Sequence, residues 1–366
     1  MKVLILTNYA NGLYLFRKEV LAEFIKQGFE TVVSVPNDEN CKKIEELGCR
    51  VIPTEMERRG NNPVKDFKLF MSYRKLLKQE KPNVVLTYTI KPNLYGGLAC
   101  RMLKIPYIVN ITGLGTAVEG GGLLSKILLR FYQISSENAS CVFFQNQGNK
   151  LFMQEHGIGM HQARLLPGSG VNIKEHEFVS YPLEKKGLSF LAVIRIMKDK
   201  GIEEFLAAAR IIKEKYPHIV FKLVGEYEEE TRSIYEPQIQ ELEEKGILQY
   251  YGHINYVHQV MAESHVIVHP SYHEGLSNVL LEAAACGRPV LATDVSGCRE
   301  TLIPGVSGLT FMSKSTEALV QAIENMISYS ERERAAMGRQ GRSHIETVFD
   351  RNIVIQAYLE EIRKTI

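Results

Sequence analysis

Short apolar runs alternate along the chain with longer stretches whose apolar positions recur at helical spacing. In the first half the runs are Val3–Leu6, Thr31–Val35, Arg50–Ile52, Val84–Thr87, Tyr107–Val109, Cys141–Phe144 and Arg164–Leu166. Runs this short and this continuously apolar predict strands buried on both faces. Between them, Leu13–Lys26 and Val64–Gln79 have the helical period. Such alternation predicts a parallel sheet covered by helices on both sides. The pattern pauses over residues 167–187, PGSGVNIKEHEFVSYPLEKKG, where Gly, Pro and charge accumulate, as in a linker. It then resumes with strands predicted at Leu188–Ile194, Val220–Val224, Leu248–Tyr251, Val266–His269, Pro289–Thr293 and Gly308–Phe311. Helices are predicted at Lys314–Ser328, Glu331–Val348 and Ile353–Lys364. The expected organisation is a first domain over 1–168, a linker over 169–187, a second domain over 188–348, and a C-terminal helix over 349–366 packing back toward the first domain. The fold class is α/β, with two doubly wound Rossmann-like domains facing across a cleft and ligands at the carboxyl ends of the strands.

Composition narrows the class without changing this architecture. A chain of 366 residues, 45% hydrophobic and 23% charged, suits two globular cores. No window approaches the ~18 uninterrupted apolar residues of a membrane span. The start, MKVLILTNYANG, has too short an apolar core for a signal peptide and reads as a first strand. Six scattered cysteines suit a reduced cytoplasmic setting and no zinc site. Charge is uneven. Residues 1–170 hold 22 Lys+Arg against 14 Asp+Glu, a balance of +8, and the remainder is at −6. Solvated helix faces account for this, as does a first half that meets an anionic acceptor or a membrane surface.

Candidate chemistry concentrates in the second half. Glu274-Gly275-Leu276-Ser277-Asn278 follows the run Val266–His269 and precedes a helix containing Glu282. Ser277 suits an N-cap. The N–H groups of Gly275–Asn278 and the helix dipole then favour an anion, and Gly275 lets backbone approach a ligand closely. Glu282 stands about one turn into the helix and leans back toward its start. Ionised carboxylates only accept hydrogen bonds, so the pair suits hydroxyl-rich partners, a sugar and a ribose. Alone, two such glutamates would read as a loop charge and a solvated helix face. Ala283-Ala284-Ala285 argues for a helix packed closely on its sheet. The other constellation is Arg195 at a strand end and Lys200 before Gly201 at a helix start. Two cations there can neutralise a diphosphate. Seen alone they would read as ordinary surface charge, as Lys198 does.

Together these motifs resemble the retaining glycosyltransferases of family 4, with the GT-B fold. The resemblance lies in R-x4-K-G at Arg195–Gly201, L-V-G at Leu223–Gly225, Y-G at Tyr251–Gly252, P-S-Y-H-E-G-L-S-N-x3-E at Pro270–Glu282, and G-R-P-V-x-A-T-D at Gly287–Asp294. It implies that Arg195 and Lys200 hold the donor diphosphate, Glu274 the donor sugar and Glu282 the ribose. The N–H groups of Gly275, Leu276, Ser277 and Asn278 would support phosphate and sugar. Arg195, Lys200 and Glu274 become the catalytic candidates, Gly12 part of a loop at the reacting centre or of a plain turn, and backbone near Tyr251–Ile254 the reader of the base. Ile194 stands where the family has a small residue and would narrow the space near the diphosphate. The five aspartates form no Asp-x-Asp motif, so neither metal nor cofactor is expected. The two cations and the helix start then stabilise the leaving group, each cation being worth about 2–4 kcal/mol in the transition state.

The first half suggests the acceptor. Thr87–Gly97, with Thr89, Lys91 and Asn93, and Asn110–Thr116, with Asn110 and Thr112, follow predicted strands and should rim the cleft. These stretches resemble a subgroup that extends lipid-diphosphate-linked oligosaccharides of bacterial surface glycans such as capsule and O-antigen. The resemblance implies transfer of a hexose or N-acetylhexosamine from a UDP-sugar. The first histidine is His156, so no acceptor-side histidine base is assigned, and the departing phosphate oxygen would take the acceptor proton. Arg58–Lys81 and Leu123–Ile134 mix cations with large apolar residues. They read as helices packed on the sheet with snorkelling cations, or as a peripheral attachment to the anionic inner leaflet of the plasma membrane. No stacking motif points to nucleic acid. A nucleotide-sugar epimerase or hydrolase, and a non-catalytic member of a polysaccharide assembly complex, stay as alternatives.

Overall fold

The computed structural model describes residues 1–57, 60, 62–115, 118, 120–184 and 187–366. By internal contacts the chain divides into two compact units, Met1–Gly170 with Arg351–Ile366, and Val171–Asp350.

The first unit is built on β1 (Lys2–Leu6), β2 (Glu30–Val35), β3 (Arg50–Pro53), β4 (Val84–Tyr88), β5 (Tyr107–Ile111), β6 (Cys141–Phe144) and β7 (Ala163–Leu165). All are parallel, in the order β3-β2-β1-β4-β5-β6-β7. Burial of both faces explains the continuous apolar runs: Val3 and Ile5 pack into one helix layer, Leu4 and Leu6 into the other. Helices lie at Ala10–Lys26, Pro63–Glu80, Gly97–Leu103 and Gly122–Ser136, among others. Pro63–Glu80 starts cleanly because Pro63 needs no N–H partner and Asn62 caps Val64 and Lys65. The C-terminal helix Arg351–Thr365 belongs to this unit and packs beside Ala10–Lys26. Tyr358 donates to Asn110 Oδ1 at 2.5 Å, Arg164 pairs with Glu360 and Glu361, and Arg351 pairs with Glu19.

The second unit has β8 (Ser189–Val193), β9 (Val220–Val224), β10 (Leu248–Tyr250), β11 (Val266–His269), β12 (Val290–Thr293) and β13 (Gly308–Phe311). They are parallel in the order β10-β9-β8-β11-β12-β13. Phe190 and Ala192 face one core, Leu191 the other. Residues 171–184, whose composition reads as a linker, make fixed contacts in this unit. Val171 N donates to Phe349 O, and the fully buried Arg288 donates to the carbonyls of Val179 and Ser180. Lys185 and Lys186 lie outside the described residues. The helix expected over Glu331–Val348 is α-helical over Glu331–His344 and widens into a π turn at Ile345–Phe349.

Strand order reverses between β1 and β4 in one unit and between β8 and β11 in the other. Neighbouring connections diverge at such points and leave a crevice at the strand ends.

Candidate active site

Arg195 and Lys200 leave the carboxyl end of β8, and Glu274 leaves that of β11, so the switch point collects them. Gly201 lets the two loops touch. Its φ is +72°, and a Cβ there would stand 2.2 Å from the Pro270 carbonyl oxygen. Only glycine tolerates both conditions. Tyr272 N donates to Asp199 O at 2.9 Å across the same seam. Lys200 Nζ is thereby placed 2.6 Å from Glu274 Oε1 and 3.3 Å from Ser271 Oγ, with both charged side chains largely buried.

His269 completes this group. It ends β11, is buried, and places Nε2 3.0 Å from Glu274 Oε1 and 3.1 Å from Ser277 Oγ. A carboxylate only accepts, which assigns the Nε2 proton to the Glu274 contact. Ser277 is the N-cap of the helix Asn278–Ala285, its Oγ accepting from Leu280 N at 3.4 Å. The imidazole therefore ties the carboxylate to the helix start. Burial alone would raise the Glu274 carboxyl, but His269 and Lys200 outweigh it and hold the group well below the usual carboxylate range. Gly297 supports the loop from behind. Its φ is +85°, a Cβ would lie 2.5 Å from Glu274 O, and its carbonyl accepts from Ser277 N at 2.8 Å.

The structure thus joins Lys200, Glu274 and Ser277 into one bonded group, with Gly275 and Leu276 between the last two and Asn278 opening the helix. Glu282 lies half-buried on that helix, while Ala283, Ala284 and Ala285 are buried beside it. Arg195 stands at the β8 end but is exposed and paired with Glu228. Ile194, expected to narrow the space near the diphosphate, is buried in the core cluster that also holds Ile196 and Ile202. His269 and Glu228 were not anticipated. A histidine closing an apolar run reads as core, and its bonds to Glu274 and Ser277 form only where the loop after β11 folds back on it.

In the first unit, Gly12 is not in a loop. The helix starts at Ala10 after the extended Tyr9, which puts Gly12 in its first turn. Thr89 follows β4 with φ +71°, an outlier for a β-branched residue, and its buried Oγ1 has no hydrogen-bond partner among the described residues. Asn93 and Asn110, expected on the acceptor side, are instead engaged inside the fold. Thr87 Oγ1 donates to Asn93 Oδ1, Asn93 Nδ2 to Asn110 O, and Asn110 Nδ2 to Thr87 O. Lys91 Nζ pairs with Asp66 at 2.8 Å, and Tyr95 donates to the same carboxylate. Both Lys91 and Asp66 line an open cavity of about 1000 Å³ with Thr54, Met56, Lys65 and Lys68. Thr112 offers its carbonyl to Gln145, whose amide in its satisfied orientation accepts from Arg17. Arg17 is buried over the Tyr88 ring, another residue that sequence alone hides. Thr116 lies outside the described residues.

Comparison with known proteins decides what these sites belong to. Residues 2–146 match the glycosyl transferase 4-like family model and residues 173–344 the model of glycosyl transferases group 1. The chain is a glycosyltransferase, with the 4-like model over its first part and the group 1 model over its second. Among the relatives of this glycosyltransferase, the N,N'-diacetylbacillosaminyl-diphospho-undecaprenol alpha-1,3-N-acetylgalactosaminyltransferase of Campylobacter jejuni is 28% identical, over 98% of each chain. The UDP-Gal:alpha-D-GlcNAc-diphosphoundecaprenol alpha-1,3-galactosyltransferase of Escherichia coli is 26% identical over 64% of this chain and 63% of its own. The capsular polysaccharide biosynthesis glycosyltransferase CapM of Staphylococcus aureus is 25% identical over 96% and 94%. In structure, HepE of Anabaena in complex with UDP superposes over 100% of both chains, with TM-score 0.83 and 17% identity. The two doubly wound sheets are those of the GT-B fold. The group 1 match contains Arg195, Lys200, His269, Glu274 and Glu282, so the bonded group lies wholly inside it.

Proposed function

We propose that the chain moves a hexose or N-acetylhexosamine from a UDP-sugar to a lipid-diphosphate-linked saccharide of a bacterial surface glycan, with retention and without a metal. The observation that carries this reading is the Lys200–Glu274–His269 group at the β8–β11 switch. An ammonium has three N–H donors. Glu274 and Ser271 take two, which leaves a third for a diphosphate oxygen. Arg195 adds a second cation, and the start of the helix Asn278–Ala285 adds its dipole, with the N–H groups of Gly275–Asn278 around it. These supply the positive charge that a metal would otherwise bring. Glu274, ionised and held in place, accepts from hydroxyls of the transferred sugar, and Glu282 from the ribose. In the transfer the C1–O bond to the phosphate breaks and the C1–O bond to the acceptor forms on the same face. The acceptor proton passes to the departing phosphate oxygen.

The Campylobacter jejuni and Escherichia coli relatives, both named for diphosphoundecaprenol-linked sugars, support the acceptor class. The cavity with Lys65, Lys68 and Lys91 is assigned to that acceptor. No helix among the described residues is long and apolar enough to cross a membrane. Two helices of the first unit nevertheless present apolar residues to solvent near their N-terminal ends. Phe67 is 63% exposed, with Val64 and Met71 beside it, and Leu123 is 76% exposed, with Leu124 and Ile127. Lys65, Lys68, Lys126 and Arg130 accompany them; Arg58 and Arg59 lie outside the described residues. We assign this face to peripheral contact with an anionic leaflet.

The test is transfer of labelled sugar from a panel of UDP-sugars to a diphosphoundecaprenol-linked saccharide in EDTA, with the product anomer read by NMR. Transfer with retention is expected. Epimer or free sugar formed from donor alone, or nucleotide binding without turnover, would overturn the reading.

A further inference from the structure

Away from the switch point, three soft ligands converge in the second unit. His176 belongs to the stretch 171–184, His258 to the short helix Val257–Ala262, and Cys286 caps the end of the helix Asn278–Ala285. Their ligating atoms all lie within 4.8 Å of one another. Cys286 Sγ stands 3.0 Å from His258 Nδ1, and the two imidazole rings meet edge to face with centroids 5.2 Å apart. Cys286 is fully buried and both histidines are half-buried.

We propose that His176, His258 and Cys286 form a structural binding site for a soft divalent cation of the zinc type. Zinc binds sulfur at about 2.3 Å and imidazole at about 2.0–2.1 Å, which sets ligand atoms on a shared ion roughly 3.3–3.6 Å apart. The present atoms reach that spacing when the 3.0 Å Cys286–His258 contact widens by about half an ångström and the longer separations, none above 4.8 Å, shorten by up to about 1 Å, movements that side-chain rotation supplies. A water fills the fourth position. On binding, the Cys286 S–H bond breaks, the sulfur–metal bond forms, and the proton leaves to solvent. Burial pushes the free thiol up to about 12 and keeps His258 toward its neutral form, so the thiol is inert without a metal while the imidazole is a ready ligand.

Two guanidiniums stand nearby. Arg288 donates to Cys286 O, and Arg342 to the carbonyls of His176 and Ala285. They hold the ligand-bearing backbone in place, and their positive charge opposes any cation until the Cys286 proton has left and the thiolate offsets it. The ion would staple residues 171–184 to the last turn of the helix whose first turn holds Ser277. Eight residues of helix span about 12 Å. The site is therefore structural, and no step of the transfer passes through it.

The test uses tag-free full-length protein in a reductant that does not bind metal. Zinc affinity is measured by competition with a chromophoric chelator, and cobalt(II) reports sulfur ligation through its thiolate charge-transfer band. Stoichiometric zinc, the cobalt band and a Tm rise of at least about 5 °C with zinc are expected. Cys286→Ser should weaken zinc by more than about 100-fold and abolish the band, since loss of a ligand exceeds the effect of losing an outer partner. His258→Gln should weaken zinc comparably, which keeps the test decisive if the serine variant folds poorly. Cys298→Ser, at another buried cysteine, should leave both readouts unchanged. Equal zinc binding by Cys286→Ser and wild type, or cobalt without the band, would overturn the site. Metal content is read without turnover, so this outcome is separable from that of the transfer assay.

Discussion

Lys200 and Glu274 sit 2.6 Å apart, with most of each side chain removed from water. Burying a lone carboxylate would push its pKa up, whereas Glu274 is held down because Lys200 and His269 both meet the same oxygen. The folded pKa lies below the unfolded one. The pair's contribution to stability is therefore complete above about pH 4.5, the ordinary glutamate range, and fades as pH falls toward the depressed folded value. Urea unfolding of wild type and Glu274→Gln across pH should show this. The gap between their midpoints should hold from pH 8 to about pH 5 and shrink in stronger acid. A gap that opens in acid would contradict the assigned ionisation. In turnover, Glu274→Gln keeps the shape but loses the charge that orients Lys200 and that, in the proposed donor site, accepts sugar hydroxyls, and kcat should fall by about 10²–10³.

At the scale of elements, the site depends on two loops pressed together where neither has room for a side chain. Gly201→Ala sets a Cβ against the Pro270 carbonyl and strains a left-handed residue, so a loss of about 2 kcal/mol or more is expected in chemical denaturation. A neutral outcome would mean that the β8 and β11 loops do not touch as described. The strands themselves were legible in sequence. β6, β9, β11 and β13 fall at the predicted residues, and the others differ by one or two residues at an end, because strands buried on both faces must be apolar without interruption. Helix starts were less legible. The helix at Ala10 begins before its apolar period does, which moved Gly12 out of its expected loop. Within the site, the motif-bearing residues Lys200, Glu274 and Ser277 were legible because their spacing is tied to strand, loop and helix. His269, Glu228 and Arg17 were not, since each is defined by a partner distant in sequence or by burial that a polar letter does not announce. Asn93 and Asn110 show the converse: polar residues at strand ends satisfy one another inside the fold.

For the whole molecule, the chain leaves the first unit at Gly170 and returns to it at Arg351, where the last helix seals the core with Val354, Tyr358 and Ile362. Residues 1–170 of this unit carry the basic balance of +8 and the exposed apolar residues of two helices. Vesicle sedimentation tests the surface this creates. Binding to anionic vesicles should exceed binding to neutral ones, weaken with salt, and drop by about 10-fold in Phe67→Ser/Leu123→Ser, as expected for loss of two inserted side chains. Equal binding to neutral vesicles would contradict the assignment. The proposed donor chemistry at Lys200 and Glu274 is tested most directly by transfer from the UDP-sugar panel to a diphosphoundecaprenol-linked acceptor in EDTA, by wild type, Glu274→Gln and Cys286→Ser. It predicts transfer by wild type and Cys286→Ser, and a large loss of kcat in Glu274→Gln. Unchanged turnover in Glu274→Gln would contradict it. So would activity in Cys286→Ser, whose structural metal site is disabled, that EDTA abolishes and a divalent ion restores.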